Sequence, residues 1–253
     1  MWTGDYRFVL HKLIVKDFSV RYRNMSLGAF WSLLNPIVMM SVMTFVFTKI
    51  FTSPVPHFAV FLLCGLIPYN FFALAWSTGT GSIVDSASLI KRVPVPREVI
   101  PIASVLSNCL HLLIQLGLLL TLTLTSGAGI SAQWLWMFPL WSLTIIFVCG
   151  LTMITSAVSV YVRDTRYVVE SINTVLFWLV PIFYSFTIIP VQYQKIYQYN
   201  PVAALVMALR NILLDGHAPA TTLLVKLAAV SIGMFVTGWI VFRRMKAGFY
   251  DYL

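Results

Sequence analysis

Residues 21–51 read RYRNMSLGAFWSLLNPIVMMSVMTFVFTKIF. Two arginines stand at the head of this stretch, and from Phe30 to Phe51 only Lys49 is charged. A helix needs about 20 apolar residues to cross a bilayer. Inside lipid the backbone must satisfy its own hydrogen bonds, which makes a helix the default spanning form. Five more segments of the same kind follow, at Phe58–Ser77, Val99–Thr125, Trp134–Val162, Val168–Ile189 and Leu223–Phe242. A membrane barrel would show many short alternating segments, and none are present. The fold class is therefore an all-α membrane protein with six transmembrane helices over residues 30–253, preceded by a short cytoplasmic segment, 1–29.

Composition agrees. Of 253 residues, 59% are hydrophobic and 10% charged, and the mean hydropathy is +0.87. A soluble domain carries about a quarter charged residues, so a soluble enzyme, a disordered tail and a secreted disulfide scaffold are excluded. Six spans leave little room for a separate soluble domain, and no Gly-x-x-x-x-Gly-Lys-Ser/Thr phosphate loop occurs. An energy-driven cycle would need its engine on another chain. Cys64, Cys109 and Cys149 all lie in apolar runs and read as small core residues, with neither a disulfide set nor a metal site. The opening MWTGDYRFVLHKLIVKDF does not read as a leader peptide, because Lys12 and Lys16 interrupt it and no cleavage pattern follows.

The net charge of +9 is scattered at the ends of apolar segments, which fits orientation in a membrane and not nucleic-acid binding. With the N-terminus inside, thirteen of the 17 Lys and Arg fall on inner pieces. Both termini are thus expected in the cytoplasm. Two parts do not span. Over Asp5–Tyr22, Tyr6, Val9, Leu10, Leu13 and Ile14 share a helical arc flanked by cations, as in a helix lying on the inner leaflet. In the outer stretch 190–222, Val202–Leu214 is apolar but too short to cross and reads as re-entrant. Pro201 suits its first turn and Gly216 its end.

Five strings carry a family resemblance: RYRNMSLGAFWSLLNP (21–36), IKRVPVPREVIP (90–101), YVRDTRYV (161–168), VPIFYSFTIIP (180–190) and NPVAALVMALRNILLDG (200–216). Together they resemble the permease subunit of ABC-2 type polysaccharide exporters, which move lipid-linked O-antigen, teichoic acid or capsule chains. SLGAFWSLLNP is closer to the O-antigen and teichoic-acid branch. The resemblance implies a homodimer working with two copies of a nucleotide-binding ATPase subunit, which would bind the ATP and Mg. This chain would carry no cofactor of its own and sit in the bacterial cytoplasmic (inner) membrane. It also implies that 190–222 forms an outer gate.

Each candidate site has a plain reading beside the functional one. Arg21 and Arg23, with Gly28 and Trp31, are orienting cations and an interfacial ring, or the inner mouth that receives a lipid pyrophosphate, which arginine forks suit. Lys91, Arg92, Pro94, Pro96 and Arg97 form a cytoplasmic loop, after a short helix over Ser82–Ile90. The resemblance makes this the element that couples to the ATPase. Arg163 and Asp164 stand in the second inner loop and have the same two readings, with a local ion pair expected between them. Ser104, Asn108, His111 and Gln115 share a helix face, either for helix–helix hydrogen bonds or as a polar stripe beside sugar hydroxyls. Tyr69, Phe72 and Trp76, and Phe177 and Tyr184, are packing rings or the lining of a canal along which sugar rings slide. Pro181 is expected to kink or end the fifth span. With Pro201, it shapes the outer segment that Arg210 and Asp215 hold shut, unless these two reach for headgroups.

Two rival functions stay open. One is a type-2 permease for a small drug or lipid. The other is a membrane-embedded acyl or glycosyl transferase, which the scattering of four histidines and eight acids argues against.

Overall fold

The computed structural model describes residues 5–26, 28–51, 55–93, 95–127 and 129–252. Pro94 thus lies outside the described residues. Eleven α-helices occur among the described residues, with no β-strand. Helix α1 is Tyr6–Tyr22, and Asp5 caps it by accepting from the Arg7 backbone N–H at 2.9 Å. Helix α2 (Trp31–Phe45) runs on into a π-turn at Val46–Ile50. Then come α3 (Phe58–Asp85), α4 (Ala87–Arg92), α5 (Val99–Thr125), α6 (Met137–Tyr161) and α7 (Thr165–Leu179). Last are α8 (Val191–Tyr199), α9 (Pro201–Leu213), α10 (Thr221–Met245) and α11 (Phe249–Tyr252).

Among the described residues, five helical stretches are long and apolar enough to cross a membrane: Trp31–Ile50, Phe58–Arg92, Val99–Thr125, Ala132–Tyr161 and Thr221–Gly248. Two differences from the sequence reading matter. The second segment does not stop near Ser77 but continues to Asp85, so its 28 residues reach about 42 Å. The fifth is not one helix over 168–189. It ends at Leu179 after 15 residues, about 22 Å, which is short of the roughly 30 Å hydrocarbon core. The cause is local. Pro181 forces Val180 into extended geometry (ψ 135°), as a residue before proline prefers.

Helix α3 is the hub, packed by α2, α5, α6, α7 and α9. Its side chains from Phe58 to Phe72 are almost all buried. Helices α6 and α10 touch backbone to backbone. A Cβ on Gly150 would lie 2.5 Å from Phe235 Cα, and one on Gly238 would lie 2.2 Å from the Gly150 oxygen. Apolar helices in lipid gain little from hydrophobic burial, so close approach at small residues supplies the packing instead. Helix α1 docks on α5 through Leu13, with Val9, Leu10 and Ile14 half-buried beside it. Tyr6, expected on that arc, stays exposed.

Candidate functional site

Most loop cations sit at one end of the bundle, here termed the basic end. There, a cavity of about 380 Å³ opens between α1, α3 and α5. Lys16 and Arg21 line it beside Asp17 and Asp85, with Ser82, Ser104 and other hydroxyls. Arg21 donates to Asn108 Oδ1 at 2.7 Å. Burial pushes the Arg21 pKa down, against the nearby Tyr22 and Asp17. Arg23 and Trp31 are exposed and line no part of this cavity. Gly28 adopts φ +52° with open space around it. It is there for the left-handed turn, not for a close approach.

Three side chains on the polar face of α5 make cross-helix contacts, while Gln115 Oε1 is buried without a partner among the described residues. Asn108 Nδ2 donates to Ser104 O (2.7 Å) and Thr78 Oγ1 (3.0 Å). His111 Nδ1 lies 2.6 Å from the Tyr22 hydroxyl, and its Nε2 lies 3.0 Å from Gln115 Nε2. Gln115 Nε2 also donates to Ser32 O at 3.2 Å. An amide nitrogen can only donate, which assigns the imidazole proton to Nδ1. Ser32 O has a specific need. Four residues later stands Pro36, which has no N–H to bond it. Gln115 therefore caps a carbonyl that the proline leaves open.

The aromatic face of α3 is core. Tyr69, Phe72 and Trp76 are 5%, 3% and 5% exposed, so they offer no surface to a passing chain in this conformation. Tyr69 packs edge-on against Phe177 (5.2 Å) and donates to Asn173 O. Phe72 packs on Trp76 at 5.4 Å and on Phe147 at 6.3 Å. The Trp76 indole N–H has no acceptor among the described residues. Phe177 is half-buried.

The basic loops contain more order than a loop reading implies. Lys91 and Arg92 are exposed on the last turn of α4. Arg97 instead donates to Lys246 O at 2.6 Å. Arg163 and Asp164 are both exposed, and no salt bridge joins them. The ion pair that links the two loops is Arg166–Asp85 at 2.7 Å, with Arg166 also bonded to Gly81 O. In the sequence Arg166 is simply one of the thirteen inner cations. Its placement depends on α3 extending to Asp85, which the hydropathy pattern of 58–77 does not show. These groups border a groove of about 770 Å³ with Tyr167 and Tyr252.

At the opposite end, the break at Pro181 frees carbonyls in an apolar region, and other elements take them up. Tyr184 donates to Trp178 O (3.3 Å) and Leu179 O (3.1 Å). Arg210 donates to Ile182 O (2.8 Å), Tyr184 O (3.3 Å) and Phe61 O (3.4 Å), with its guanidinium 3.5 Å from the Phe61 ring centroid. Gly65 makes room for this, since a Cβ there would sit 2.9 Å from Ile182 Cα. The expected Arg210–Asp215 pair is absent. Arg210 is 7% exposed and turned inward, so it does not reach for headgroups either, and Asp215 is exposed. Pro201 stands at the first turn of α9, whose start Asn200 caps through Val202 N–H (3.0 Å). Helix α9 is buried nearly all round, as a re-entrant element must be. Short helices before the last span are expected from the sequence, with bounds only for Val202–Leu214; α8, four residues of which carry aromatic or basic side chains, is a second one.

A helical bundle of membrane length, with basic loops at one end and a buried re-entrant helix near the other, defines a polytopic membrane protein of transporter type. Residues 9–214 match the family model for ABC-2 type transporters, so the chain belongs to that family. It is 29% identical to the O-antigen export system permease protein RfbA of Klebsiella pneumoniae, over 94% of this chain and 92% of that one. It is 28% identical to the protein of the same name from Myxococcus xanthus, over 97% and 95%. The polysialic acid transport protein KpsM of Escherichia coli is 24% identical, over 95% and 94%.

Proposed function

We propose that this chain is the permease subunit of an ATP-driven exporter that moves a lipid-linked polysaccharide outward across the bacterial cytoplasmic membrane. The carrying observation is end-to-end similarity to permeases named for O-antigen export and polysialic acid transport. On this reading the basic end faces the cytoplasm, and a homodimer joins two copies of a separate subunit that binds ATP and Mg. Lys91, Arg92 and Arg163, exposed on the basic loops, meet that subunit. Arg21, in its polar cavity, takes the charged headgroup of the carrier lipid.

A sliding polymer needs exposed, weakly binding surface. Helix α7 supplies it. Tyr167, Ser171, Thr174 and Trp178 recur at spacings of 4, 3 and 4, which puts them on one face, and all four are exposed. This stripe replaces the buried face of α3 as the canal wall. The reading is tested in inverted membrane vesicles containing permease and partner ATPase. Lipid-linked glycan should enter the lumen only with ATP. A deletion strain that fails to make the glycan, instead of accumulating it inside, would point to the transferase reading and refute this one.

A further inference from the structure

After α10 the chain folds back on the basic end. Residues Lys246–Gly248 form a tight turn and Phe249–Tyr252 a last helical turn. Lys246 forms an ion pair with Glu98. Arg97, beside it, bonds the Lys246 carbonyl, and its guanidinium lies 5.0 Å from the Tyr250 ring centroid and 5.9 Å from that of Phe249. So the loop before α5 grips this segment by charge, hydrogen bond and ring stacking at once.

The same segment is gripped from the other side. Tyr161, the last residue of α6, donates to Met245 O at 2.7 Å. Phe249 has no exposed surface, and it packs edge-on against Phe242 at 5.5 Å and Tyr161 at 6.1 Å. A Cβ on Gly248 would lie 2.7 Å from the Tyr161 hydroxyl, so a larger residue there would displace that hydroxyl. Tyr161 leads directly into the second basic loop.

We infer that Lys246–Tyr252 is a latch that fixes the two basic loops to one another, so that they move as one body when a partner pushes on either. The inference rests on the proposed function for the identity of that partner. Apart from the latch, the loops are joined by the part-exposed Arg166–Asp85 pair, and with that pair alone a push would shear α5 against α6 and dissipate locally. A packed aromatic plug with a paired charge has two arrangements, seated or released, and transmits displacement while seated. Arg97 and Glu98 are then positioning residues, acting through the latch.

The test uses the full complex with its ATPase, and reads glycan exported per ATP hydrolysed. Glu98→Lys or Lys246→Glu should lower that ratio by about fivefold, the factor that one part-exposed ion pair can carry. The double exchange should restore it. In a Glu98→Cys/Lys246→Cys pair, export should be impaired when reduced and restored when oxidised, because a seated latch does not need to open. Unchanged ratios in both single variants, or export that stops on oxidation, would overturn the latch. If the charge variants fail to assemble, the oxidised pair decides alone. Hydrogen exchange on the purified permease gives a reading independent of transport. Lys246→Glu should loosen residues 87–98 and 162–168 together, and loosening confined to 246–252 would overturn the inference. Should the wild-type complex export no glycan, the proposed function fails, while the exchange result still judges the latch.

Discussion

Replacing Arg210 by methionine tests the account of the outer segment. The side chain is buried and bonded to three backbone carbonyls, of which Ile182 O at 2.8 Å is the closest. Tyr184 O and Phe61 O, at 3.3–3.4 Å, are weaker. Methionine keeps much of the apolar stem and leaves Ile182 O and Tyr184 O open, at about 1–3 kcal/mol for each buried polar group. Against this, the variant no longer desolvates a guanidinium that has no carboxylate beside it. The two opposing terms leave a net local loss of roughly 2 kcal/mol, about a 30-fold rise in opening. Amide exchange at Val180 and Ile182, both hydrogen-bonded now, reads it directly in lipid nanodiscs. Lysine should not rescue, since an ammonium is a strongly hydrated point charge and loses the planar fork. Asp215→Asn should leave exchange unchanged, because no contact joins it to the guanidinium. Protection in Arg210→Met equal to wild type, or a loss reproduced by Asp215→Asn, would show that the guanidinium does not hold this segment.

The cap on Ser32 predicts a coupled pair. Gln115→Met should cost about 1 kcal/mol more alone than in a Pro36→Ala background, where the restored N–H takes the carbonyl and only the bond to His111 is lost; a double-mutant cycle by reversible unfolding measures this. Gly150→Ala places a methyl group against the α10 backbone and should destabilise by about 1–3 kcal/mol, seen as a lower thermal midpoint in detergent. The Glu98 carboxyl is partly buried, which by itself would raise its pKa. Its bond to Lys246 and the Lys246 and Arg243 charges outweigh burial and hold it below the usual glutamate range. A depressed folded pKa gives stability that is complete above the unfolded value and is lost as pH falls through the folded one. Acid should therefore loosen Lys246–Tyr252 in wild type, and Glu98→Gln should remove that pH dependence from its exchange. Tyr167→Ala with Trp178→Ala should slow export of long chains while assembly stays normal, and unchanged chain length at the surface would exclude α7 as the canal wall.

Hydropathy made the helical class legible, because lipid permits few alternatives to a helix. It misplaced the ends for identifiable reasons. The polar residues Ser77–Ser82 look like a loop, yet they lie inside α3, where Thr80 bonds Trp76 O at 2.8 Å and neighbouring helices cover the face. The apolar run 168–189 looks continuous, yet one proline divides it. For the site, residue type was legible and direction was not. Arg210 was seen as a gate charge, but its partners are carbonyls 26 to 149 positions away in sequence, and no spacing rule contains them. Tyr69, Phe72 and Trp76 do share a face, as their spacing requires, but spacing does not say whether that face meets a helix or a canal. Exposure along α7 depends on what packs behind it, which only the assembled bundle shows.

Two of the most polar features inside this apolar bundle have one cause. Pro36 leaves Ser32 O without its helical donor, and Gln115 reaches across from α5 to supply one. Pro181 ends α7, and Tyr184 and Arg210 take the carbonyls it frees. Placing a glutamine or an arginine in lipid is costly, but an open carbonyl there costs several kcal/mol as well, so the polar side chain and the broken ladder are cheaper together than either alone. This has a consequence for transport. Each break is held by side-chain bonds of modest strength, whereas an intact helix is held by its whole ladder. The breaks at α2 and α7 are therefore places where the bundle can change shape at lower cost than along an intact ladder, and α7 carries the exposed stripe Tyr167–Trp178. On the proposed function, a push delivered at the basic end and carried by the seated latch would move α7 about the hinge that Arg210 closes.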